Sequence, residues 1–184
     1  MDKQELLDRL KNLDRDATLT FSESSKFKCY IVGGSALILM GYSIRATHDI
    51  DILEKYPKDI SRLFDKYDMN STVVAYYDCF PSAFEDRAIK LDIDTEMVEF
   101  YTLSIEDLVI SKLCTTRGEQ DVTDINSDVI IKSINWDVLE TLANRLISEK
   151  FSGIDNFKYN YNDYVRRNKP WEILQLKDIL RDKL

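Results

Sequence analysis

The chain has few of the residues that build cross-linked or fibrous frameworks. Its 184 residues include only 5 glycines, 3 prolines and 3 cysteines. The cysteines, Cys29, Cys79 and Cys114, are widely spaced and form no Cys-x-x-Cys pair, so neither a metal finger nor a disulfide framework is indicated. We interpret them as reduced thiols in an ordinary globular protein.

Long apolar runs and an excess of positive charge are also missing. No segment approaches the roughly 18 apolar residues that a membrane span needs, and residues 1–5 do not begin a basic and then apolar signal. We therefore expect a cytoplasmic protein with no membrane contact. The net charge of -8 argues against holding nucleic acid through a broad basic surface, because phosphate affinity comes from clustered lysines and arginines.

Hydrophobic periodicity predicts strands in the first part of the chain and helices in the second. The predicted elements are a helix at 1–15, a strand at 29–32, a helix at 35–40, a strand at 49–53, a helix at 57–67, a strand at 71–77, a hairpin of 88–91 with 97–103, a helix at 104–114, and helices at 129–134, 136–147 and 171–184. This order indicates an α+β fold.

The same pattern suggests how the chain is organised. Residues 1–125 would carry the sheet, and residues 126–184 would form a helical extension packed on it, although the length also suits one compact domain. The polar stretch 155–168 is the only segment that resembles a linker.

A Gly33-Gly34-Ser35 turn follows the first predicted strand. Glycine allows a backbone to approach a phosphate closely, and a following helix directs free N–H groups toward it, so the turn can bind an anion. A purely structural role is the alternative, because a glycine pair is a turn or helix-packing device in most proteins that contain one.

Asp49 and Asp51 stand two residues apart in a predicted strand, so their carboxylates share one face and could hold magnesium against a substrate's phosphates. The tripeptide Asp-Ile-Asp that contains both residues occurs a second time, at residues 92–94 in the predicted hairpin turn. The tripeptide alone is therefore not specific for a metal site. Asp49 and Asp51 differ in following the Gly-Gly-Ser turn within an apolar strand. The alternative to a metal site is that the two aspartates lie on the water-exposed face of an edge strand. His48, which precedes Asp49, is interpreted as a polar neighbour without a catalytic role.

Two stretches together resemble a known family. The sequence GGSA at 33–36, followed by RATHDIDI at 45–52, resembles the signature of the DNA polymerase beta-like nucleotidyltransferase superfamily, in particular its minimal prokaryotic branch. The sequence LSIEDLVISKL at 103–113, followed by Arg117, Asp121 and Asp124, resembles the downstream motif that this branch shares with abortive-infection toxin nucleotidyltransferases. The resemblance covers roughly residues 28–125.

The resemblance implies a mixed sheet flanked by helices, with Asp49 and Asp51 as catalytic residues that bind two magnesium ions, and a nucleoside triphosphate as substrate. It implies nucleotide contacts from Gly33, Gly34, Ser35, Arg45, Thr47, Lys112 and Asp121. Two of these residues have other interpretations: Lys112 could be a solvated lysine on an amphipathic helix, and Asp121 with Asp124 could pair with Arg117.

One expected residue is not evident. The superfamily usually carries a third carboxylate on the next strand, but the predicted strand 71–77 has none, so that Asp78, Glu85 and Asp86 are the available substitutes.

Three hypotheses follow. The first is a magnesium-dependent nucleotidyltransferase that modifies a hydroxyl of RNA, protein or a small molecule, with a toxin of a toxin–antitoxin pair as one version. The second is a degenerate nucleotide-binding module that acts through a protein partner such as an antitoxin. The third is an interaction protein with no nucleotide.

Overall fold

A five-stranded mixed sheet lies at the centre of the fold. The computed structural model describes residues 1–21, 26–43, 45–53, 58–115, 119–149 and 153–170. Its strands run in the order β3-β2-β1-β5-β4 across the sheet, with bounds β1 Phe27–Val32, β2 Ile50–Ile52, β3 Met69–Asn70, β4 Ile89–Lys90 and β5 Val98–Thr102. The predicted α+β class is confirmed.

Helices surround the sheet and make up most of the second half of the chain. In the described residues they are α1 Lys3–Thr20, α2 Gly33–Leu39, α3 Lys58–Lys66, α4 Ile105–Cys114, α5 Glu119–Ile125, α6 Asp128–Ser133, α7 Trp136–Glu149 and α8 Ile154–Asn168. No described helix has both the length and the apolar character needed to cross a membrane. The predicted helices at 1–15, 104–114, 129–134 and 136–147 are confirmed.

The central strand β1 has a neighbouring strand on each side. It pairs antiparallel with β2, placing Val32 opposite Asp51, and parallel with β5, placing Ile31 opposite Thr102. Its last four residues, 29–32, are fully buried, as a continuous apolar run predicts. The hairpin of β4 and β5 is antiparallel, as its sequence indicated. The carboxyl end of β1 therefore lies beside β2 where the candidate residues begin.

A buried carboxylate fixes α1 to the sheet. Asp14 accepts hydrogen bonds from the backbone N–H groups of Glu96, Met97 and Val98 at 2.9, 2.8 and 2.7 Å. Because Val98 is the first residue of β5, these bonds tie the helix to the start of that strand. Leucines at 6, 10 and 13 on the same face of α1 are completely buried in the core.

The predicted strand at 71–77 is wrong. Residues Thr72–Cys79 form a 3₁₀ helix, and the strand is the two-residue β3 just before it. The side chain of Asn70 accepts a hydrogen bond from the backbone N–H of Thr72 at 2.9 Å, which turns the chain out of the sheet. The β-branched residues here favour a strand only where a neighbouring strand is available.

The predicted linker at 155–168 is also wrong, because these residues form α8. Phe157 and Tyr164, two turns apart, are buried at 0% and 3% exposure, and they hold an otherwise polar helix against the core. Asn160 lies between them and donates a hydrogen bond to the carbonyl of Leu113 in α4 at 2.9 Å. The helix predicted at 171–184 lies outside the described residues.

Candidate functional site

The turn after β1 is built around a close approach between Gly33 and Asp51. Gly33 has a φ of +66°, and a β-carbon there would lie 2.5 Å from Oδ2 of Asp51. Only glycine accommodates both the backbone conformation and the carboxylate. Ser35 is 1% exposed, and its hydroxyl donates to the carbonyl of Val32 at 3.0 Å, so in this structure its side chain closes the turn.

The carboxylate pair lies at the start of β2. Asp51 is within the strand and Asp49 immediately precedes it, and both are half-buried, so water or a ligand can reach them. Thr47 is buried and its hydroxyl donates to the carbonyl of Asp49 at 3.2 Å, which positions the chain entering the strand. His48 is exposed.

Two half-exposed carboxylates are hard oxygen donors of the kind that magnesium prefers, and water and substrate phosphates can supply its remaining ligands. The residues present therefore fit the metal. Within the described ranges, no three aspartate, glutamate, histidine or cysteine side chains are grouped so that they could hold a metal by themselves.

The candidates for a third carboxylate lie in two 3₁₀ helices between β3 and β4. Asp78 is in Thr72–Cys79, whereas Glu85 and Asp86 are in Phe84–Arg87, and all three side chains are exposed. The residue paired with Asp51 on β3 is Asn70. Since residues paired across neighbouring strands point to the same face, an amide occupies the position beside Asp51.

Arg45 forms a two-pronged ion pair with a residue far along the chain. Its Nε and Nη2 donate to the two carboxylate oxygens of Asp124 at 2.8 and 2.7 Å. A β-carbon on Gly34 would stand 2.6 Å from Nη2 of Arg45, so the second glycine makes room for the guanidinium. Arg45 is thereby held beside the Gly-Gly turn, as a two-pronged arginine–carboxylate contact has defined geometry.

Lys112 of α4 joins the same network. Its side chain is 6% exposed, and its ammonium forms ion pairs with Asp121 and, at 3.1 Å, with Asp124. The interpretation of Lys112 as a solvated surface lysine is therefore wrong. The alternative pairing of the aspartates with Arg117 concerns a residue outside the described part of the chain.

Asp124 is 7% exposed and holds a charge between two cations. Burial alone would raise the pKa of its carboxyl, but the hydrogen bonds and charges of Arg45 and Lys112 outweigh burial and hold that pKa below its usual value. The hydrogen bond to Asp124 also raises the pKa of the Arg45 guanidinium above its usual value. Arg45 and Asp124 therefore both stay charged at neutral pH.

Three of these residues, Gly33, Asp51 and Lys112, line a small cleft. One wall is formed by Gly33 and Asp51, and the opposite wall by Ser111, Lys112 and Thr115 of α4 and its end. The 3₁₀ helix Thr72–Cys79 and the residue after it cover the cleft with Val73, Tyr76, Cys79 and Phe80. The structure thus brings together Gly33, Asp51 and Lys112, which are separated by up to 79 positions in the sequence.

Two features of the site were missed by reasoning from sequence. The sequence identifies Asp124 as part of the motif that follows residues 103–113, but it does not identify it as the residue that connects Arg45 with Lys112. Its spacing of three from Asp121 places both on one face of a helix, which was an available signal. Nothing in the pattern indicated the aromatic cover, because residues 72–79 were predicted as a strand.

A mixed sheet flanked by helices, with a glycine turn and a carboxylate pair at one strand end, defines a nucleotidyltransferase-like fold. The chain belongs to the family described as nucleotidyltransferase of unknown function (DUF6036), which matches residues 8–169. The resemblance to a nucleotidyltransferase family is therefore confirmed. The match runs from α1 into α8 and includes both motifs. No curated protein and no solved structure matches the chain.

Proposed function

We propose that the protein is a magnesium-dependent nucleotidyltransferase that moves a nucleoside monophosphate from a nucleoside triphosphate to a hydroxyl of RNA, protein or a small molecule. The observation that carries the proposal is the shared cleft of Asp51 and Lys112 beside the Gly33-Gly34 turn. Carboxylates on one wall suit a metal, and a buried lysine on the other suits phosphate.

Each residue has a distinct task in this reaction. Asp49 and Asp51 would hold magnesium, which supplies positive charge to the phosphates and to the attacking oxygen. Lys112 and Arg45 would face the triphosphate, with their positions fixed by Asp121 and Asp124. The glycine turn leaves the backbone open to close approach.

The covalent step exchanges one phosphorus–oxygen bond for another. The acceptor's hydroxyl oxygen bonds to the α-phosphorus while the bond from that phosphorus to the α,β-bridging oxygen breaks. Pyrophosphate leaves with the bonding electrons, and the hydroxyl proton passes to water. The protein contributes mainly orientation and fixed charge, which are the dominant means of catalysis in such transfers.

The test uses the repeated tripeptide as an internal control. Wild type, Asp51→Asn and Asp94→Asn are each incubated with magnesium, an α-labelled triphosphate and total cellular RNA and protein. Asp94 lies exposed in the turn between β4 and β5, so its variant changes the same charge away from the cleft. We expect Asp51→Asn to lose more than about a hundredfold of the labelling, and Asp94→Asn to retain it. Full labelling by Asp51→Asn would refute the proposal.

A second candidate is a nucleotide-binding module without turnover, acting through a protein partner such as an antitoxin. The amide of Asn70 beside Asp51, where a carboxylate would complete the metal site, favours it. In that case magnesium and nucleotide would raise the melting temperature, because a ligand at a hundred times its dissociation constant stabilises by about 2.7 kcal/mol, yet no acceptor would be labelled. A protein that only interacts with another would show neither effect.

A further inference from the structure

A second cavity lies on the far side of Lys112 from the carboxylates. It has a volume of about 240 Å³ and is enclosed by the end of α4, by α5 and by α8. Lys112 and Thr115 line both this cavity and the cleft that contains Asp51. The two spaces therefore adjoin at these side chains. We call the second space the helical pocket.

The charges in the helical pocket are balanced. Lys112 and Arg167 contribute two cations to its wall, and Asp121 and Asp163 contribute two carboxylates. The cations are already paired, since Lys112 contacts Asp121 and Nε of Arg167 contacts Asp163 at 2.9 Å. Apart from Lys112, which the pocket shares with the cleft, its charged side chains are Arg167, Asp121 and Asp163, so the rest of the wall has no surplus positive charge for a phosphate and suits a neutral polar group.

The wall also combines an apolar surface with a hydrogen-bonding amide. Val122 of α5 is 54% exposed beside the pocket, and Ile125 lies next to it. Asn160 of α8 donates through Nδ2 to the carbonyl of Leu113, and in the described residues no donor is bound to its Oδ1. The guanidinium of Arg167, with its side chain 66% exposed, offers a flat face.

Such a combination matches a heterocyclic ring. The edge of a nucleobase pairs with an amide side chain, and its face stacks on a guanidinium or packs on an apolar side chain. Asn126, by contrast, has both ends of its amide occupied, by the carbonyl of Val122 and by Asn168. Of these two asparagines, Asn160 is therefore the one with an amide oxygen to offer.

We propose that the helical pocket binds the nucleobase of the triphosphate whose phosphates lie in the Asp51 cleft, with Oδ1 of Asn160 accepting a hydrogen bond from the base. This inference rests on the proposed function. It assigns the choice of nucleotide to α5 and α8, outside the motifs that bind metal and phosphate.

The experiment compares ligands with and without a base. Binding of each of the four nucleoside triphosphates and of inorganic tripolyphosphate is measured by calorimetry with magnesium present. The proteins are wild type, Asn160→Ala, Val122→Trp and the control Asn156→Ala, which makes the same change at an exposed position of α8. Val122→Trp fills the pocket from an exposed position, so its folding does not depend on the loss of an internal contact.

We expect Asn160→Ala and Val122→Trp to weaken the preferred triphosphate at least tenfold, while tripolyphosphate binding stays within twofold and Asn156→Ala matches wild type. Unchanged triphosphate affinity in both pocket variants, or an equal loss for tripolyphosphate, overturns the inference while leaving the proposed function standing. A rise only in the KM for the acceptor would assign the pocket to the acceptor and also overturn it. If wild type binds neither ligand, the proposed function itself fails.

Discussion

The carboxylate of Asp51 occupies the space that a side chain at Gly33 would need. The two residues belong to neighbouring strand ends, and a β-carbon on Gly33 would lie 2.5 Å from Oδ2 of Asp51. The candidate metal-binding position and the turn are therefore one structural unit, because a side chain at Gly33 would displace the carboxylate of Asp51.

Gly33→Ala should show this dependence. Both Gly33 and Gly41 have positive φ, of +66° and +82°, but nothing lies within 4 Å of a β-carbon at Gly41. Gly41→Ala therefore measures backbone strain alone, about 1 to 2 kcal/mol. We expect Gly33→Ala to lower the free energy of unfolding by more than this in urea titrations, and to abolish labelling that Gly41→Ala retains. If the two variants lost the same free energy of unfolding, Asp51 would have to move aside without cost.

Asp124→Asn should destabilise the protein in a pH-dependent way. At pH 7 the variant leaves Arg45 and Lys112 without their shared charge, and removing one partner of a buried ion pair costs about 3 kcal/mol. The folded-state pKa of Asp124 is lowered. Its stabilising effect is thus present above the unfolded pKa of about 3.9 and is lost as the pH falls through the folded value.

The measurement is the free energy of unfolding of wild type and Asp124→Asn at pH 7 and at pH 3. The difference should narrow at pH 3, because the carboxyl of the unfolded wild-type chain takes up a proton below its pKa of about 3.9. Asp128→Asn is the control, because the side chain of Asp128 is 87% exposed and its loss should change stability by less than about 0.5 kcal/mol. A difference that stays constant with pH would contradict the assigned role.

Asn70→Asp should strengthen metal binding. The variant places a third carboxylate on the face of the sheet that carries Asp51, and it keeps the oxygen that accepts from the N–H of Thr72. Added ligand charge raises affinity for hard cations, so we expect about tenfold tighter Mn²⁺ binding by paramagnetic resonance. Without metal the variant should melt lower, because like charges oppose each other.

Asn156→Asp adds the same charge at an exposed position of α8 and serves as the control. If it tightens Mn²⁺ binding as much as Asn70→Asp does, the effect comes from overall charge and not from the position beside Asp51.

The parts of the site that residue patterns alone predict are close together along the chain, whereas Lys112 and Asp121 are expected only from the family resemblance of the downstream motif. The strand before Gly33, the glycine turn and the strand containing Asp51 follow one another within about 25 residues, and local patterns are sufficient there. The contact of Arg45 with Asp124 spans 79 positions, and no local pattern contains it. Only the packing of α4 and α5 against the turn brings the two together.

The wrong predictions have a similar origin. Residues 72–79 have the composition of a strand, but Asn70 ends the pairing with β2 before they begin. Residues 155–168 resemble a linker because most of them are polar. They form a helix because two of their side chains, Phe157 and Tyr164, are buried in a core formed by distant segments. In both cases tertiary surroundings outweighed local composition.

The hydrogen bonds of Asp14 also bear on the order in which the molecule assembles. Its carboxylate accepts from backbone N–H groups that lie up to 84 residues later in the chain, so these bonds cannot form until that segment has been synthesised. Until β5 has been synthesised, β1 has a partner only in β2, and its other side is an open apolar strand edge. A parallel pairing over this distance forms slowly. We therefore expect the nascent amino-terminal half to be more prone to aggregation during translation than the complete chain, in which β5 covers this edge of β1.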